Sequence, residues 1–292
     1  MSLKEKRILI LGATGTLGHK MIQAGNLMDL SIYGTARNIS SQLKKITSFE
    51  NQIFDKLDLE TNEGQKNLKE IITQQGFDVI INCIGIIPQK SQNPAEMIAL
   101  NSLFPHQLAE VCNQNSAHLI HISTDCVFSG NQGHYTEKDK PDASNLYGKS
   151  KELGEVTYGD NLTVRTSLIG RELGNSHAGL VEWFLAQTGS IDGYTNAIWS
   201  GLTTTYLSKS LFQIVEDFPY LTGLVHLASP VGIDKYSLLQ LLKQSFKKDI
   251  VINKDDQIKV DKTLIMSQVF QGKIQIPTYD QMIKELSEES CY

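Results

Sequence analysis

Cysteine, tryptophan and proline are all scarce here: four, two and seven in 292 residues. Cys83, Cys112, Cys126 and Cys291 are scattered with no two at CxxC spacing, and thiols without an export signal suit a reducing compartment. Long apolar runs are missing too. The best stretch, residues 77–88, is broken by Asp78, Asn82 and Gly85, far short of a membrane span. The apolar run before Gly12 is also too short for a signal-peptide core. Nor is there an excess of positive charge: Lys plus Arg is 27 against 32 for Asp plus Glu, a net charge of −5. Such a surface repels nucleic acid and anionic membranes, so neither is expected as a partner. His118 and His121 flank a strand without a third ligand nearby, and no GxSxG elbow occurs, so no catalytic metal or serine nucleophile is expected. A soluble, cytoplasmic protein follows from these absences.

An apolar fraction of 40% is enough for a sizeable core. Strands are expected over 7–11, 30–35, 53–57, 78–84, 117–122 and 162–166, with helices over 16–27, 62–75, 94–113 and 145–158 between them. The strand runs are continuous rather than alternating, as when a parallel sheet is covered on both faces. This β–α alternation predicts an α/β fold, a doubly wound parallel sheet of the Rossmann type over residues 1–166. After Gly170 the alternation weakens. Helices are expected near 179–187, 206–217, 236–246 and 279–286, with one late strand at 224–227. Residues 167–292 are therefore expected to form mainly a smaller substrate-binding lobe, with some segments returning to the first domain.

Gly12-Ala13-Thr14-Gly15-Thr16-Leu17-Gly18 reads GxxGxxG between the first strand and the first helix. Gly12 makes the tight turn, Gly15 admits a pyrophosphate to the backbone N–H groups, and Gly18 lets helix and strand pack closely. A dinucleotide cofactor is the expectation. An NAD site usually offers an acidic residue after the second strand; here Arg37 stands in that region, and a cation suits the 2′-phosphate of NADP(H).

Tyr147 and Lys151 stand four apart, on one face of a helix, so a phenol and an ammonium can converge. Ser123 and Thr124 follow the fifth strand, at the carboxyl end where ligands of such sheets bind. Delivering a hydride to a carbonyl builds an alkoxide that must be protonated as it forms. A neighbouring Lys⁺ is expected to lower the tyrosine pKa toward working pH, making it the acid. Thr124 would hold the same oxygen.

Taken together, GATGTLG, INCIG, ALNSLFPHQLA, ISTDCVFSG, YTEKDKPDASNLYGKSKELGE and VRTS resemble the extended short-chain dehydrogenases/reductases. Within them the likeness is to the dTDP-4-dehydrorhamnose reductase family of nucleotide-sugar 4-ketoreductases. It is dense from Arg7 to about Gly170 and thinner afterwards. The resemblance implies Thr124, Tyr147 and Lys151 as the catalytic set. It implies NADPH held by Gly12, Thr14, Gly15, Thr16, Leu17, Gly18 and Arg37, with Asp58 and Leu59 at the adenine. Cys83, Ile84 and Gly85 would pass the ribose and Thr166 would lie near the nicotinamide. Asn101 is implied as a helix asparagine that ties neighbouring backbone together.

Two departures concern the sugar pocket. The family usually carries an aromatic where Cys126 stands, and Trp where Leu168 stands. Asp125, Cys126, Leu168 and Trp199 are the candidate substrate contacts, and smaller walls leave room for a bulkier sugar such as a 2-acetamido-2,6-dideoxy-4-hexulose. The function implied is reduction of a 4-keto group on a nucleotide-linked 6-deoxyhexose, in deoxysugar or surface-polysaccharide synthesis. Two alternatives remain: an epimerase or dehydratase with bound NAD, and a non-catalytic NADP-binding regulatory subunit like that of methionine adenosyltransferase. A homodimer is left open.

Overall fold

The computed structural model describes residues 2–38, 53–173 and 178–289; Cys291 lies outside them. Seven parallel strands form the central sheet: β1 (Arg7–Leu11), β2 (Ser31–Thr35), β3 (Ile53–Phe54), β4 (Val79–Asn82), β5 (His118–Thr124), β6 (Leu162–Thr166) and, from far along the chain, β10 (Gly223–His226). Their order is β10-β6-β5-β4-β1-β2-β3. Strand order reverses between β1 and β4, leaving a crevice at their carboxyl ends where ligands of such sheets bind. Along β1, Ile8 and Ile10 join one apolar cluster, while Leu9 and Leu11 join another on the opposite face. That double burial is why the strand reads as an unbroken apolar run.

Helix α1 (Gly18–Leu27) follows β1, and α2 (Asn62–Gln75) follows β3. The latter has clear stops. The Thr61 hydroxyl accepts the Gly64 N–H at its start, and Gly76 at φ 63° ends it. After β4, α3 (Pro94–Ile98) runs through a π turn (Ala99–Leu103) into α4 (Phe104–Gln114). Helix α5 (Leu146–Leu153) is shorter than the expected 145–158 because Gly154 closes it. A Cβ on Gly154 would stand 1.8 Å from the Asn101 carbonyl oxygen, so α5 sits directly on the π turn.

Beyond Thr166, β7 (Leu168–Ile169) pairs with β9 (Leu202–Thr203). A separate three-stranded sheet contains β8 (Ser190–Trp199), β11 (Ile233–Asp234) and β12 (Val251–Asp261), in the order β11-β8-β12. The remaining helices are α6 (Leu180–Ala186), α7 (Thr204–Asp217), α8 (Lys235–Ser245) and α9 (Tyr279–Glu288). The expectation of a single late strand is corrected here. In β8 only Gly193, Ala197 and Trp199 are buried, and in β12 only Ile252, so neither presents an apolar run. No helix among the described residues is long and apolar enough to cross a membrane.

Candidate active site

Two adjoining cavities open along the carboxyl ends of β1, β4, β5 and β6. The larger, about 560 Å³, is lined by Thr124, Tyr147, Lys151 and Thr166 among others. The smaller, about 390 Å³, is lined by Gly12, Thr14, Arg37, Asp58 and Leu59 among others. Gly15, Cys83, Ile84, Gly85 and Lys90 border both and form the neck between them.

The glycine turn forms one wall of this groove. Gly12 has φ 81°, the left-handed region that favours glycine. Its N–H donates to Thr35 Oγ1 at 3.2 Å, and the Ala13 N–H donates to the Thr35 carbonyl at 2.8 Å, pinning the turn to β2. A Cβ on Gly18 would stand 2.0 Å from the Gly12 oxygen, so only glycine lets α1 start this close to β1. No side chain caps the first turn of α1. The His19 N–H donates to the Gly15 carbonyl at 3.1 Å, and the partial positive charge of the helix start is left for an anion.

Tyr147, Lys151 and Thr124 meet on the larger cavity. The Thr124 hydroxyl donates to Asp125 Oδ1 at 3.0 Å and accepts the Cys126 N–H at 3.1 Å. Lys151 Nζ donates to the Ile122 carbonyl at 2.8 Å. Burial pulls the Lys151 pKa down to about 8, against the pull of Glu155, whose carboxylate favours the charged form. Glycine again sets the spacing. A Cβ on Gly148 would lie 2.3 Å from the Cys126 oxygen, so a larger residue there would push Tyr147's helix off the loop after β5.

The expected lowering of Tyr147 by Lys151 is not found. Burial drives the phenol above its ordinary value, Cys126 and Asp125 push it further, and the Thr124 hydroxyl draws it back. Desolvation sets the direction of the shift, and the Lys151 ammonium is bound to a backbone oxygen instead. Burial also pushes the Cys83 and Cys126 thiols up to about 12, so both remain protonated near neutral pH.

Asn101 sits in the π turn, which re-aims a helical side chain toward the site. Its Oδ1 accepts the Ile86 N–H at 2.8 Å, and its Nδ2 donates to the Ile86 carbonyl at 2.9 Å and to Ser150 Oγ at 3.1 Å. Beneath the cavity lies a buried ion pair. Arg165 holds Glu155 by Nε and Nη2, each at 2.7 Å, and Ser123 Oγ donates to the same carboxylate at 2.7 Å.

Nearly all of the sequence-derived candidates come together in this groove. Thr16, Leu17, Asp125, Cys126 and Leu168 line the larger cavity with the catalytic candidates. Two candidates lie outside the linings. Gly18 packs behind the turn. Trp199 is buried, its indole N–H donating to Ser167 Oγ at 2.8 Å, and it is Ser167 that lines the cavity. Arg37 lines the smaller cavity, but its Nη1 is already paired with Glu60 Oε1 at 3.0 Å. Glu60, Lys90 and Ser167 were not singled out from the sequence. Ser167 closes the VRTS motif just after β6, whereas no local motif marks Glu60 or Lys90, which only the folded loops bring to the groove.

A family model described as "RmlD substrate binding domain" matches residues 6–252. A probable low-salt glycan biosynthesis reductase of Haloferax volcanii is 36% identical over 94 residues, 31% of each chain. A dTDP-4-dehydrorhamnose reductase of Mycolicibacterium smegmatis is 32% identical over 148 residues, 48% of this chain and 45% of that one. These alignments thus span less than half the length of the relatives. A crystal structure of dTDP-4-dehydrorhamnose reductase from Bacillus anthracis in complex with NADP superposes with a TM-score of 0.77 at 20% identity, covering 96% of this chain and 98% of that one.

Proposed function

Because this chain belongs to the RmlD substrate binding domain family, we propose that it is an NADPH-dependent reductase of the 4-keto group of a nucleotide-linked 6-deoxyhexose. The observation that carries this reading is the meeting of Thr124, Tyr147 and Lys151 in a cavity continuous with the glycine turn. The groove suits a dinucleotide: the first turn of α1 is uncapped, and a side chain at Gly12 would close on Ile84 at 3.0 Å. Residues 1–166 would hold this cofactor and residues 167–292 mainly the sugar nucleotide, with β10 returning to the sheet.

When bound, the reduced nicotinamide would supply a hydride to C4 of the sugar. The protein acts at the oxygen. Tyr147, kept protonated by burial, gives its proton to O4 as negative charge builds there. Thr124 donates a second hydrogen bond to that oxygen. Lys151, cationic at neutral pH, orients the nicotinamide ribose. Incubation with NADPH and a nucleotide 4-ketosugar should consume both in equal amounts. If NADPH binds and no member of a ketosugar panel is reduced, the reading fails.

The state of Lys151 makes this activity pH-dependent. Its ammonium is present below about pH 8 and is lost as pH rises through that value. Reduction should therefore fall along an alkaline limb near pH 8 in a kcat/KM profile. A flat profile from pH 7 to 10 would remove the lysine charge from the mechanism.

Cys126 and Leu168 both line the larger cavity, at positions where the dTDP-4-dehydrorhamnose reductases usually carry rings. An aromatic side chain buries about 150–250 Å², so two fewer rings leave room for an N-acetyl group. The enzyme should show a higher kcat/KM for a 2-acetamido-4-ketosugar nucleotide than for dTDP-4-keto-rhamnose. The double variant Cys126→Tyr, Leu168→Trp should reverse that order. Direct competition between the substrates decides it, and a wild-type preference for the plain deoxysugar refutes the enlarged pocket.

A further inference from the structure

Lys90 stands at the neck, one of five residues that border both cavities, alongside Gly15 of the phosphate-binding turn. Its loop is built rather than loose. At one end, Asn101 clamps Ile86 through both its N–H and its carbonyl. The Lys90 and Ser91 N–H groups then close a turn on the Ile87 carbonyl at 2.9 and 3.3 Å. At the other end Asn93 caps α3, accepting the Ala95 N–H at 3.0 Å. No carboxylate among the described residues comes within ion-pair distance of the Lys90 ammonium. The acid nearest along the chain, Glu96 in α3, is occupied by Ser91 Oγ at 2.6 Å and Asn93 Nδ2 at 2.8 Å. Arg37, the other cation on the smaller cavity, is already held by Glu60.

A dinucleotide lying through both cavities has to pass its pyrophosphate, with two negative charges, through this neck. The α1 N-terminus faces that point from one side with backbone dipoles only. We propose that Lys90 closes on the pyrophosphate from the other side, as a cofactor-binding residue that serves NADPH and NADH alike. Arg37 would then act at the 2′-phosphate alone. This division of labour rests on the dinucleotide reading above.

Equilibrium binding of NADPH, NADH and adenosine 2′-monophosphate tests it, since the last carries the 2′-phosphate without the pyrophosphate. For Lys90→Gln, the Kd of both dinucleotides should rise by roughly 5- to 10-fold, between an exposed ion pair and a hydrogen bond to a charged group. The increase should shrink in high salt, as an exposed charge requires, and adenosine 2′-monophosphate should bind unchanged. Arg37→Ala should do the reverse, weakening NADPH and adenosine 2′-monophosphate and sparing NADH. Unchanged dinucleotide affinity in Lys90→Gln overturns the proposal, as does a loss confined to the two 2′-phosphate ligands. Failure of the wild type to bind any of the three would instead overturn the dinucleotide reading itself.

Discussion

Replacing Tyr147 with Phe should cut turnover by a factor on the order of 10²–10⁴, the usual contribution of a positioned general acid. The ring stays, so its packing beside Cys126 and the helix that carries it should survive, and NADPH affinity should be retained. Steady-state kinetics together with a cofactor titration check both halves. An unchanged rate would take Tyr147 out of the chemistry, whereas a lost cofactor site would mean the phenol had a structural task.

The second large effect is on stability. Glu155→Ala should cost about 3–5 kcal/mol, because it leaves the Arg165 guanidinium buried without its partner. Both side chains are at most 7% exposed, so water cannot take over the lost contacts. Ser123 loses its acceptor as well. Urea unfolding of wild type and variant measures the difference. Replacing both partners together, Glu155→Leu with Arg165→Met, should recover part of it, since no charge is then stranded. A loss below 1 kcal/mol in the single variant would show that the pair is not desolvated in solution. The same variant carries a kinetic signature. Glu155 favours the charged form of Lys151, so removing it should move the alkaline limb of activity below pH 8.

Several elements were legible because the local chemistry that forms them is written in adjacent residues. Helix α2 starts at a threonine cap and stops at a glycine, and the expected 62–75 coincides with it. The strands of the central sheet announce themselves because both their faces are buried. Strands β8 and β12 hide for the opposite reason: most of their side chains meet water, so pairing rather than apolar patterning defines them. Helix α5 stops at Gly154, short of the expected 158, because a glycine closes it there. The close approach of the Asn101 carbonyl that keeps this position a glycine is a long-range contact that helical periodicity does not report.

The candidate site divides in the same way. GxxGxxG and the Tyr147–Lys151 spacing each report a local geometry, and the folded chain carries both to one groove. Residues that reach the groove from loops, such as Lys90 and Glu60, leave no pattern in the sequence. Trp199 was a candidate on proximity to a turn, and its burial behind Ser167 depends on long-range packing against Tyr279 and Lys235. The direction of the Tyr147 shift was misjudged because desolvation is invisible in a spacing rule. A phenol four residues from a lysine can be pulled either way, and here burial sets the direction.

Isotope transfer tests the central claim most directly. NADPH carrying two deuterium atoms at C4 of its nicotinamide should be incubated with the protein and a nucleotide-linked 4-keto-6-deoxyhexose. The account predicts one deuterium at C4 of the reduced sugar for each NADPH consumed, with Tyr147→Phe slowing that transfer by at least about 10². Tight NADPH binding with no deuterium reaching any ketosugar would contradict it and leave the chain a cofactor-binding module rather than a reductase.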